Sequence, residues 1–429
     1  MNTNPNSYVE NALINLKNQR FLSSNRPQKM VHNENDFLEY HLNENIQQVT
    51  LQVTQQCNFK CSYCYYATGG FENHRQHSPK RMSLEMAIKI IDFYANHSKN
   101  QKRAIIGFYG GEPMIEFDLI KAIVNYSEKI FEGKELSFSM TTNGSLFNTE
   151  NIDFLSKHNF NLVVSIDGTP EIHNKSRKFA NNGEGTYHVI EKNLFKIKND
   201  TPDFFDRLTL NVVIDPSNGY NELEEMFNNN VLFKGKNIRL LSLDEYDIIE
   251  KVTTSDEYSI EYGIQKFKVY LSLLGRYPND KVSATIKFNV VENIRQQISN
   301  MEKRTGLYKE MSHGGPCIPG QKKFFVTIEG NFLPCEKVNE TSDAMCIGNI
   351  YDGFDYEKAR KLLNVVQLTE DDCRNCWAIR YCLLCARFCD NNGKLSAELK
   401  KSNCKSIKYT VENNLRDFLM YQELKNNIL

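Results

Sequence analysis

The sequence predicts an α/β fold built around a parallel β-sheet. Six short apolar runs have the composition of β-strands, and each is followed by a segment with helical spacing. The six runs are IQQVTLQVT, RAIIGFYGG, ELSFSMTTNG, FNLVVSIDG, RLTLNVVID and NIRLLSLD. Strands that alternate with helices form parallel sheets with right-handed crossovers, either as an incomplete barrel or as an open sheet. In both architectures the chemistry takes place at the carboxyl ends of the strands.

The helical segments between these strands are equally regular. In SLEMAIKIIDFYANHS, DLIKAIVNYSEKIF and YHVIEKNLFKIKND the apolar residues recur with the spacing of one helix face. A chain of 429 residues exceeds the size of a single hydrophobic core, so we expect several structural units. The predicted units are an N-terminal arm at 1–46, an α/β core at 47–254, a helical bridge at 255–311, a cysteine-rich unit at 312–410 and a C-terminal helix at 411–429. The arm is predicted to include one short amphipathic helix around Tyr8 to Leu22.

Composition excludes several classes of function. The chain has 52 Lys and Arg against 53 Asp and Glu, so it offers neither a basic stripe for nucleic acid nor a polybasic patch for lipid. Its first residues lack the apolar core of a signal peptide, and no run of about 18 apolar residues occurs. We therefore expect a cytoplasmic protein with no membrane partner. In that reducing compartment its 12 cysteines are expected to be metal ligands or redox centres rather than disulfides.

Three of the cysteines follow the first predicted strand. The segment TQQCNFKCSYCYYATGG places Cys57, Cys61 and Cys64 in C-x3-C-x2-C spacing, one ligand short of a closed site. Three thiolates on one loop can hold three irons of a [4Fe–4S] cluster and leave the fourth iron open. The alternative is a zinc site completed by His74 or His77, although zinc cysteines usually come in two separated pairs.

A glycine-rich turn ends the second predicted strand. In GFYGGEPM, Gly110 and Gly111 allow the backbone to approach a ligand closely, and Pro113 fixes the turn. Glu112 presents a carboxylate beside them, which suits a ligand that carries an ammonium group. An ordinary turn is the alternative, but the position next to the cysteine loop favours a binding site.

These two motifs in this order resemble the radical S-adenosylmethionine (radical SAM) superfamily. The resemblance implies a partial (β/α)6 TIM-like barrel in which SAM binds the open iron and yields a 5′-deoxyadenosyl radical that abstracts a hydrogen atom from the substrate. It also implies that Tyr63 lies near the adenine and that Glu112 and the GGEP backbone hold the SAM amine. Two further segments, TTNGSLF and SIDGTPEIHNKSR, match the family less specifically. In the first, the resemblance implies that Asn143 or Thr142 contacts SAM. In the second, it implies that Ser165 faces the ribose and Arg177 the SAM carboxylate. Asp167 would form the turn.

The C-terminal cysteines follow a second pattern. Cys317 and Cys335 form C-x12-G-x4-C, and Cys373, Cys376 and Cys382 form C-x2-C-x5-C. These spacings resemble the iron–sulfur SPASM domain of radical SAM enzymes, which implies two auxiliary [4Fe–4S] clusters and three clusters in all. Cys317 and Cys335 would bind the first auxiliary cluster, and Cys373, Cys376, Cys382 and Cys404 the second. Cys385, Cys389 and Cys346 remain alternatives for the other ligands of the first, and Cys346 is equally compatible with a buried thiol.

The resemblance implies a peptide maturase of ribosomally made precursors. We expect it to join a cysteine sulfur to a carbon of another residue, with carbon–carbon crosslinking or anaerobic sulfatase maturation as alternatives. A non-catalytic iron–sulfur electron carrier is the distant alternative. The expected partners are a precursor peptide and an electron donor such as flavodoxin or ferredoxin, and no nucleic acid. The sequence identifies no general base.

Overall fold

The computed structural model of the chain describes residues 5–18, 26–66, 74–243, 252–302 and 307–426. Its helices are α1 Pro5–Asn18, α2 Leu38–Glu44, α3 Leu84–His97, α4 Phe117–Ile130, α5 Thr149–Lys157, α6 Pro170–Ser176, α7 Tyr187–Asp200, α8 Pro202–Arg207, α9 Asn221–Asn229, α10 Asp256–Leu273, α11 Ala284–Glu302, α12 Tyr356–Leu363, α13 Glu370–Arg374 and α14 Ala397–Asn426. None of the described helices is long and apolar enough to cross a membrane.

The strands divide into one large sheet and three small pairs. They are β1 Lys29–Met30, β2 Gln48–Thr54, β3 Arg103–Gly110, β4 Glu135–Thr142, β5 Phe160–Ser165, β6 Thr209–Ile214, β7 Asn237–Ser242, β8 Glu310–Met311, β9 Phe324–Val326, β10 Phe332–Leu333, β11 Gly348–Asn349, β12 Gly353–Phe354, β13 Asp390–Asn391 and β14 Lys394–Leu395. The large sheet has the order β10-β9-β2-β3-β4-β5-β6-β7.

The six strands β2 to β7 lie side by side in chain order, and every neighbouring pair among them is parallel. Each corresponds to one of the six predicted apolar runs, and the predicted α/β fold with a parallel, barrel-like sheet is confirmed. Helices α3, α4 and α7 also form where the apolar spacing predicted them. The last residue of the sixth run, Asp244, lies outside the described residues.

Two strands of the sheet come from the cysteine-rich segment and had no sequence signal. Strand β9 extends the sheet by pairing in parallel with β2, and β10 pairs antiparallel with β9. Phe324, Phe325 and Phe332 in these strands are fully buried. The C-terminal segment is therefore packed onto the first strand of the barrel, directly beside the strand that leads into the first cysteine loop.

The first and last described helices have bounds that differ from those predicted. Helix α1 covers Pro5–Asn18 rather than Tyr8 to Leu22, and Leu22 lies outside the described residues. Helix α14 begins at Ala397, before the predicted C-terminal helix at 411–429. Ser396 Oγ accepts a hydrogen bond from the Leu399 amide and caps the first turn of α14. Cys404 consequently lies on a helix. The proposed boundaries of the five units remain predictions.

Candidate active site

The loop after β2 carries the first three cysteines. Cys61 is buried, Cys57 and Cys64 are half-buried, and the Cys64 amide donates to the Cys61 carbonyl at 3.1 Å. Burial raises the pKa of the Cys61 thiol to about 11, and burial together with the Glu112 charge raises that of Cys57 further. Neutral thiols are thus favoured until a cationic centre binds. Since metals bind thiolates and stabilise them, this buried set fits an iron–sulfur cluster.

The alternative zinc ligands lie on the same loop. His77 Nε2 is 3.9 Å from Cys64 Sγ, while His77 Nδ1 lies 3.1 Å from the Gln55 carbonyl oxygen. His74 instead stacks on Tyr65. Within the described residues, no three His, Cys, Asp or Glu side chains are close enough to share one metal ion.

The end of β3 lies against the backbone of the cysteine loop. The Gly111 amide donates to the Thr54 carbonyl at 3.0 Å, and the Glu112 amide donates to the Gln56 carbonyl at 2.8 Å. A Cβ atom on Gly110 would lie 2.0 Å from Thr54 O, and one on Gly111 would lie 2.0 Å from Gln56 O. Both glycines are therefore required by close backbone approach. Pro113 begins a short 3-10 helix, Pro113–Glu116, that leads the chain away from the site.

Glu112 joins this turn to the loop after β4. Its side chain is 1% exposed, and its Oε1 accepts hydrogen bonds from the Met114 amide at 3.0 Å and the Thr142 hydroxyl at 2.7 Å. Its Oε2 accepts from the Asn143 amide at 2.6 Å. A carboxylate has about four acceptor positions, so one more donor can still bind. Burial raises the pKa of Glu112, while these donors oppose the rise.

Asn143 connects the same loop back to the cysteines. Its Nδ2 donates to Asn58 Oδ1 at 2.8 Å, and Asn58 Nδ2 donates to Ser145 Oγ at 2.8 Å. Asn58 is the residue that follows Cys57. The side-chain amide of Asn143 therefore holds the first cysteine turn in place, in addition to any contact with SAM that the resemblance implies.

A buried network centred on Asp167 brings together two further predicted residues. Asp167 Oδ2 accepts hydrogen bonds from the Tyr63 hydroxyl and from Arg177 Nε, the latter at 2.7 Å. The Arg177 guanidinium lies 5.4 Å from the centre of the Tyr63 ring. Asp167 Oδ1 accepts from the Val213 amide at 3.0 Å. Sequence reasoning considered Asp167 only as a turn residue, whereas the structure makes it the anchor of both side chains.

His173 and Ser165 complete this side of the site. Ser165 is the buried last residue of β5, at the carboxyl end where a ribose contact was predicted. The Asp167 amide donates to His173 Nδ1 at 3.1 Å, and His173 Nε2 lies 2.9 Å from Thr186 Oγ1. Nδ1 must therefore accept, and the ring is neutral with its proton on Nε2. Burial lowers the pKa of His173 to about 3.

Glu340 is a site residue that sequence reasoning missed. Its carboxylate is buried in the C-terminal segment and accepts hydrogen bonds from Gln52 at 2.7 Å, the Tyr66 hydroxyl at 2.8 Å and Arg75 Nε at 2.6 Å. These three residues belong to β2 and to the cysteine loop. No spacing or motif surrounds Glu340, so no sequence signal was available for it.

Four of the C-terminal cysteines surround one cavity. Cys373, Cys376, Cys382 and Cys404 line a space of about 50 Å³, with His313 and Lys400 among the other lining residues. Burial raises the pKa of Cys382, and the nearby Cys373, Cys404 and Cys376 raise it further. The structure thus brings together the four residues predicted for the second auxiliary cluster, and a tetrathiolate set of this type fits a [4Fe–4S] cluster.

A second C-terminal group contains Cys317, Cys335 and Cys385. Burial raises the pKa of Cys335 to about 12, with smaller contributions from Glu336 and then from Cys317 and Cys385. Burial and Cys385 likewise raise the pKa of Cys317. Cys389 is fully buried, and its Sγ lies 3.9 Å from the Cys385 carbonyl oxygen. Cys346 donates to the Gly348 carbonyl at 3.3 Å. Of the three alternatives, Cys385 is the one whose charge contributes to the raised pKa values of both Cys317 and Cys335.

Two known proteins match the chain over long stretches. The radical SAM cyclopropyl synthase TigE of Paramaledivibacter caminithermalis is 26% identical over 281 residues, which cover 60% of this chain and 56% of TigE. A cysteine-type anaerobic sulfatase-maturating enzyme of Clostridium perfringens is 24% identical over 363 residues, which cover 82% of this chain and 91% of the enzyme. The match therefore spans little more than half the length of TigE.

Solved structures share the fold. Native anSMEcpe with bound AdoMet, which is SAM, has a TM-score of 0.61 and 20% identity, and the match covers 89% of this chain and 98% of that chain. Native anSMEcpe with bound AdoMet and the Kp18Cys peptide has a TM-score of 0.59 and 18% identity, over 86% and 99% of the two chains.

The match to a protein family falls on the residues that build the site. The radical SAM superfamily matches residues 51–229, a range that includes the cysteine loop, the GGEP turn and the Asp167 network. This family uses SAM and a [4Fe–4S] cluster. The three cysteine thiols fit the cluster, and the close backbone approach at Gly110 and Gly111 fits a SAM site beside it. Residues 51–229 therefore match a radical SAM domain, the family that the cysteine spacing predicted.

Proposed function

We propose that this chain is a radical SAM enzyme that modifies a peptide, joining a cysteine sulfur to a carbon of another residue in a ribosomally made precursor. The observation that carries the proposal is the presence of two separate sets of cysteines around the barrel: Cys57, Cys61 and Cys64 at the SAM site, and the C-terminal groups. An oxidative crosslink removes two electrons from the substrate, so an enzyme of this kind needs a second redox centre in addition to the first.

The residues of the barrel have defined tasks in this proposal. Cys57, Cys61 and Cys64 hold the first cluster, and the backbone at Gly110 and Gly111 leaves space for SAM beside it. Glu112 offers its remaining acceptor position to the SAM amine, while Arg177 and Ser165 contact the carboxylate and ribose. When bound, the cluster and SAM supply a 5′-deoxyadenosyl radical that abstracts a hydrogen atom from the substrate. Asp167 keeps Arg177 and Tyr63 oriented throughout.

The C-terminal cysteines have a separate task. Cys373, Cys376, Cys382 and Cys404 form a complete ligand set, which suits a centre that accepts an electron without binding substrate. Cys317, Cys335 and Cys385 form a group of three, which leaves a position for a further ligand. A cysteine of the substrate peptide is a chemically suitable ligand there, since a bound thiol is held as the thiolate that a thioether bond requires.

Sulfatase maturation is the second candidate. The Clostridium perfringens sulfatase-maturating enzyme matches this chain over 91% of its own length, and the fold of anSMEcpe with a bound cysteine peptide covers most of the chain. Carbon–carbon bond formation is the third, because TigE is a cyclopropyl synthase. The chemical product that forms from the substrate therefore distinguishes the three reactions.

The experiment combines an iron count with product analysis. Anaerobically reconstituted protein is expected to bind about 12 irons, the sum of three four-iron clusters. Incubation with SAM, a reductant and a cysteine-containing precursor from the neighbouring genes should give a product about two mass units lighter per crosslink, from the loss of two hydrogens. A thioether product also loses reactivity toward a thiol alkylating reagent. A lighter product that still alkylates fully would show carbon–carbon bonding, and conversion of a sulfatase peptide alone would show sulfatase maturation. About four irons with zinc elsewhere would overturn the auxiliary clusters.

A further inference from the structure

Lys400 is a buried lysine beside the four-cysteine cavity. It lies on α14, one turn before Cys404, and its side chain is only 2% exposed. Lysine is rarely buried completely, since removing an ammonium group from water is costly unless a charge or several polar groups replace the water. A lysine in this position therefore indicates a specific partner.

The Lys400 ammonium is surrounded by a carbonyl oxygen, a hydroxyl and a cysteine sulfur. Nζ donates to the Val366 carbonyl at 3.2 Å and the Thr369 hydroxyl at 2.8 Å, and it lies 3.6 Å from Cys373 Sγ. Thr369 Oγ1 is itself 3.3 Å from Cys373 Sγ. None of these partners is a carboxylate. The groups that surround Lys400 thus satisfy its hydrogen bonds without balancing its charge.

Other charged groups at the cavity lie toward solvent. Asp372 lines the cavity but pairs with Lys401 at 2.7 Å, and both side chains are more than half exposed. Lys408 also lines the cavity and is exposed. His313 lies inside, with Nε2 2.6 Å from the Leu384 carbonyl oxygen, and is neutral. Among the described Asp, Glu, Lys and Arg side chains that line the cavity, Lys400 is therefore the buried one, and a cluster bound by four thiolates supplies the missing negative charge.

We propose that Lys400 sets the reduction potential of the iron–sulfur cluster held by Cys373, Cys376, Cys382 and Cys404. This inference rests on the proposed auxiliary cluster. A fixed positive charge and a hydrogen bond to a ligand sulfur both stabilise the form that carries one more electron, so Lys400 raises the potential. In that one-electron step the cluster gains the electron that the substrate radical loses, and no covalent bond of Lys400 forms or breaks. The effect makes this centre a better electron acceptor.

The test is a redox titration of the anaerobically reconstituted full chain, followed by electron paramagnetic resonance. The relevant midpoint is the one that disappears in Cys373→Ala. In Lys400→Met this midpoint should fall by at least about 59 mV, a tenfold change in the one-electron equilibrium, while the other midpoints stay unchanged. Lys400→Arg should stay closer to the wild-type value because it keeps the charge. The matched control is Lys405→Met on the same helix, where the side chain is exposed and its charge is screened.

Each outcome is decisive. A Lys400→Met protein with its full iron content and an unchanged midpoint would overturn the role of Lys400 while leaving the proposed function intact. If Lys400→Met loses iron, Lys400→Gln tests the same point, since it removes the charge but keeps a polar donor near the Val366 carbonyl and the Thr369 hydroxyl: a lower midpoint supports the inference and an unchanged one overturns it. If the Cys373→Ala variant binds as much iron as the wild type, both this inference and the proposed auxiliary cluster are overturned.

Discussion

Single buried side chains hold the loops of the site together. Glu112 fixes the GGEP turn to the loop after β4, Asn143 fixes that loop to Asn58, and Asp167 fixes Arg177 to Tyr63. Each of these residues had a predicted role toward SAM or in a turn. The structure adds that their polar atoms already bind neighbouring loops, so substitution changes the shape of the SAM site as well as its chemistry.

Glu112→Ala should weaken SAM binding while the first cluster retains its iron. The carboxylate accepts its hydrogen bonds from Met114, Thr142 and Asn143, so its loss removes one acceptor for the SAM amine and two hydrogen bonds to the loop after β4. Removing one hydrogen bond to a charged group costs about 1.5–3 kcal/mol, or at least a tenfold loss of affinity. Equilibrium binding of SAM and iron analysis measure the two effects. Glu116→Ala, on the same turn, is the control, and parallel loss of iron and affinity would show that Glu112 is only structural.

His173 should make stability depend on pH. Its pKa of about 3 lies below the usual value near 6.5 because burial disfavours the imidazolium, and protonation of Nδ1 would oppose the Asp167 amide. The imidazole of His173 therefore binds a proton in the unfolded chain at a pH where it stays unprotonated in the folded chain. As a result, the free energy of unfolding falls as the pH falls below about 6.5. Between pH 7.5 and 5.5 this residue accounts for about 1.4 kcal/mol.

The measurement compares anaerobic thermal unfolding of wild type and His173→Asn at these two pH values. The variant should be less stable at pH 7.5, because it loses the bond to Thr186, and should lose less stability on acidification. An equal pH dependence in both proteins would contradict a neutral buried imidazole.

At the scale of elements, the site is made by loops that follow β2, β3, β4 and β5 at one edge of a parallel sheet. These strands were predictable because their apolar runs are long and are separated by regular helices. Strands β9 and β10 were not, since runs of 3 and 2 residues carry no periodicity. The hydrogen bonds from Gln52 to Glu340 and from Lys400 to Cys373 were also unpredictable, because they join residues that are 288 and 27 positions apart in the sequence. Sequence spacing therefore identified the cysteines but not the side chains that support them.

Gly111→Ala should disrupt the contact between β3 and the cysteine loop. The added Cβ would lie 2.0 Å from Gln56 O, next to Cys57, so one of the two backbones must move. We expect a loss of roughly 1–3 kcal/mol in stability and reduced iron at the first site. Thermal unfolding and iron analysis test this. Gly263→Ala in α10 is the control, because no atom lies within 4 Å of its Cβ position. A variant with normal iron content would show that the loop tolerates displacement.

At the scale of the molecule, the C-terminal segment and the barrel are joined by a shared sheet and by buried hydrogen bonds. Strand β9 continues the barrel sheet, and Glu340 contacts the loop that carries Cys57, Cys61 and Cys64. The two C-terminal cysteine groups are thereby held in a fixed relation to the SAM site. Such an arrangement suits an enzyme in which one centre starts the reaction and another receives the electron that remains.

Substitutions in the two sets of cysteines should separate reductive SAM cleavage from crosslinking. Replacing Cys57, Cys61 and Cys64 with Ala should abolish reductive cleavage of SAM, since no iron remains to bind it or to deliver the electron. Replacing Cys373, Cys376 and Cys382 should leave some formation of 5′-deoxyadenosine but stop crosslinking, because initiation needs only the first cluster. Chromatography of 5′-deoxyadenosine and mass spectrometry of the peptide measure the two activities independently.

Folding must be measured in the same samples, because a segment built around clusters can lose its structure when their ligands are removed. Circular dichroism and iron content of each variant provide that control. In a folded C-terminal variant, the electron left on the substrate radical has no acceptor, so 5′-deoxyadenosine should accumulate without a product about two mass units lighter. If such a variant still converts a cysteine-containing precursor at the wild-type rate, the C-terminal clusters are structural, and the electron must leave the substrate by another route.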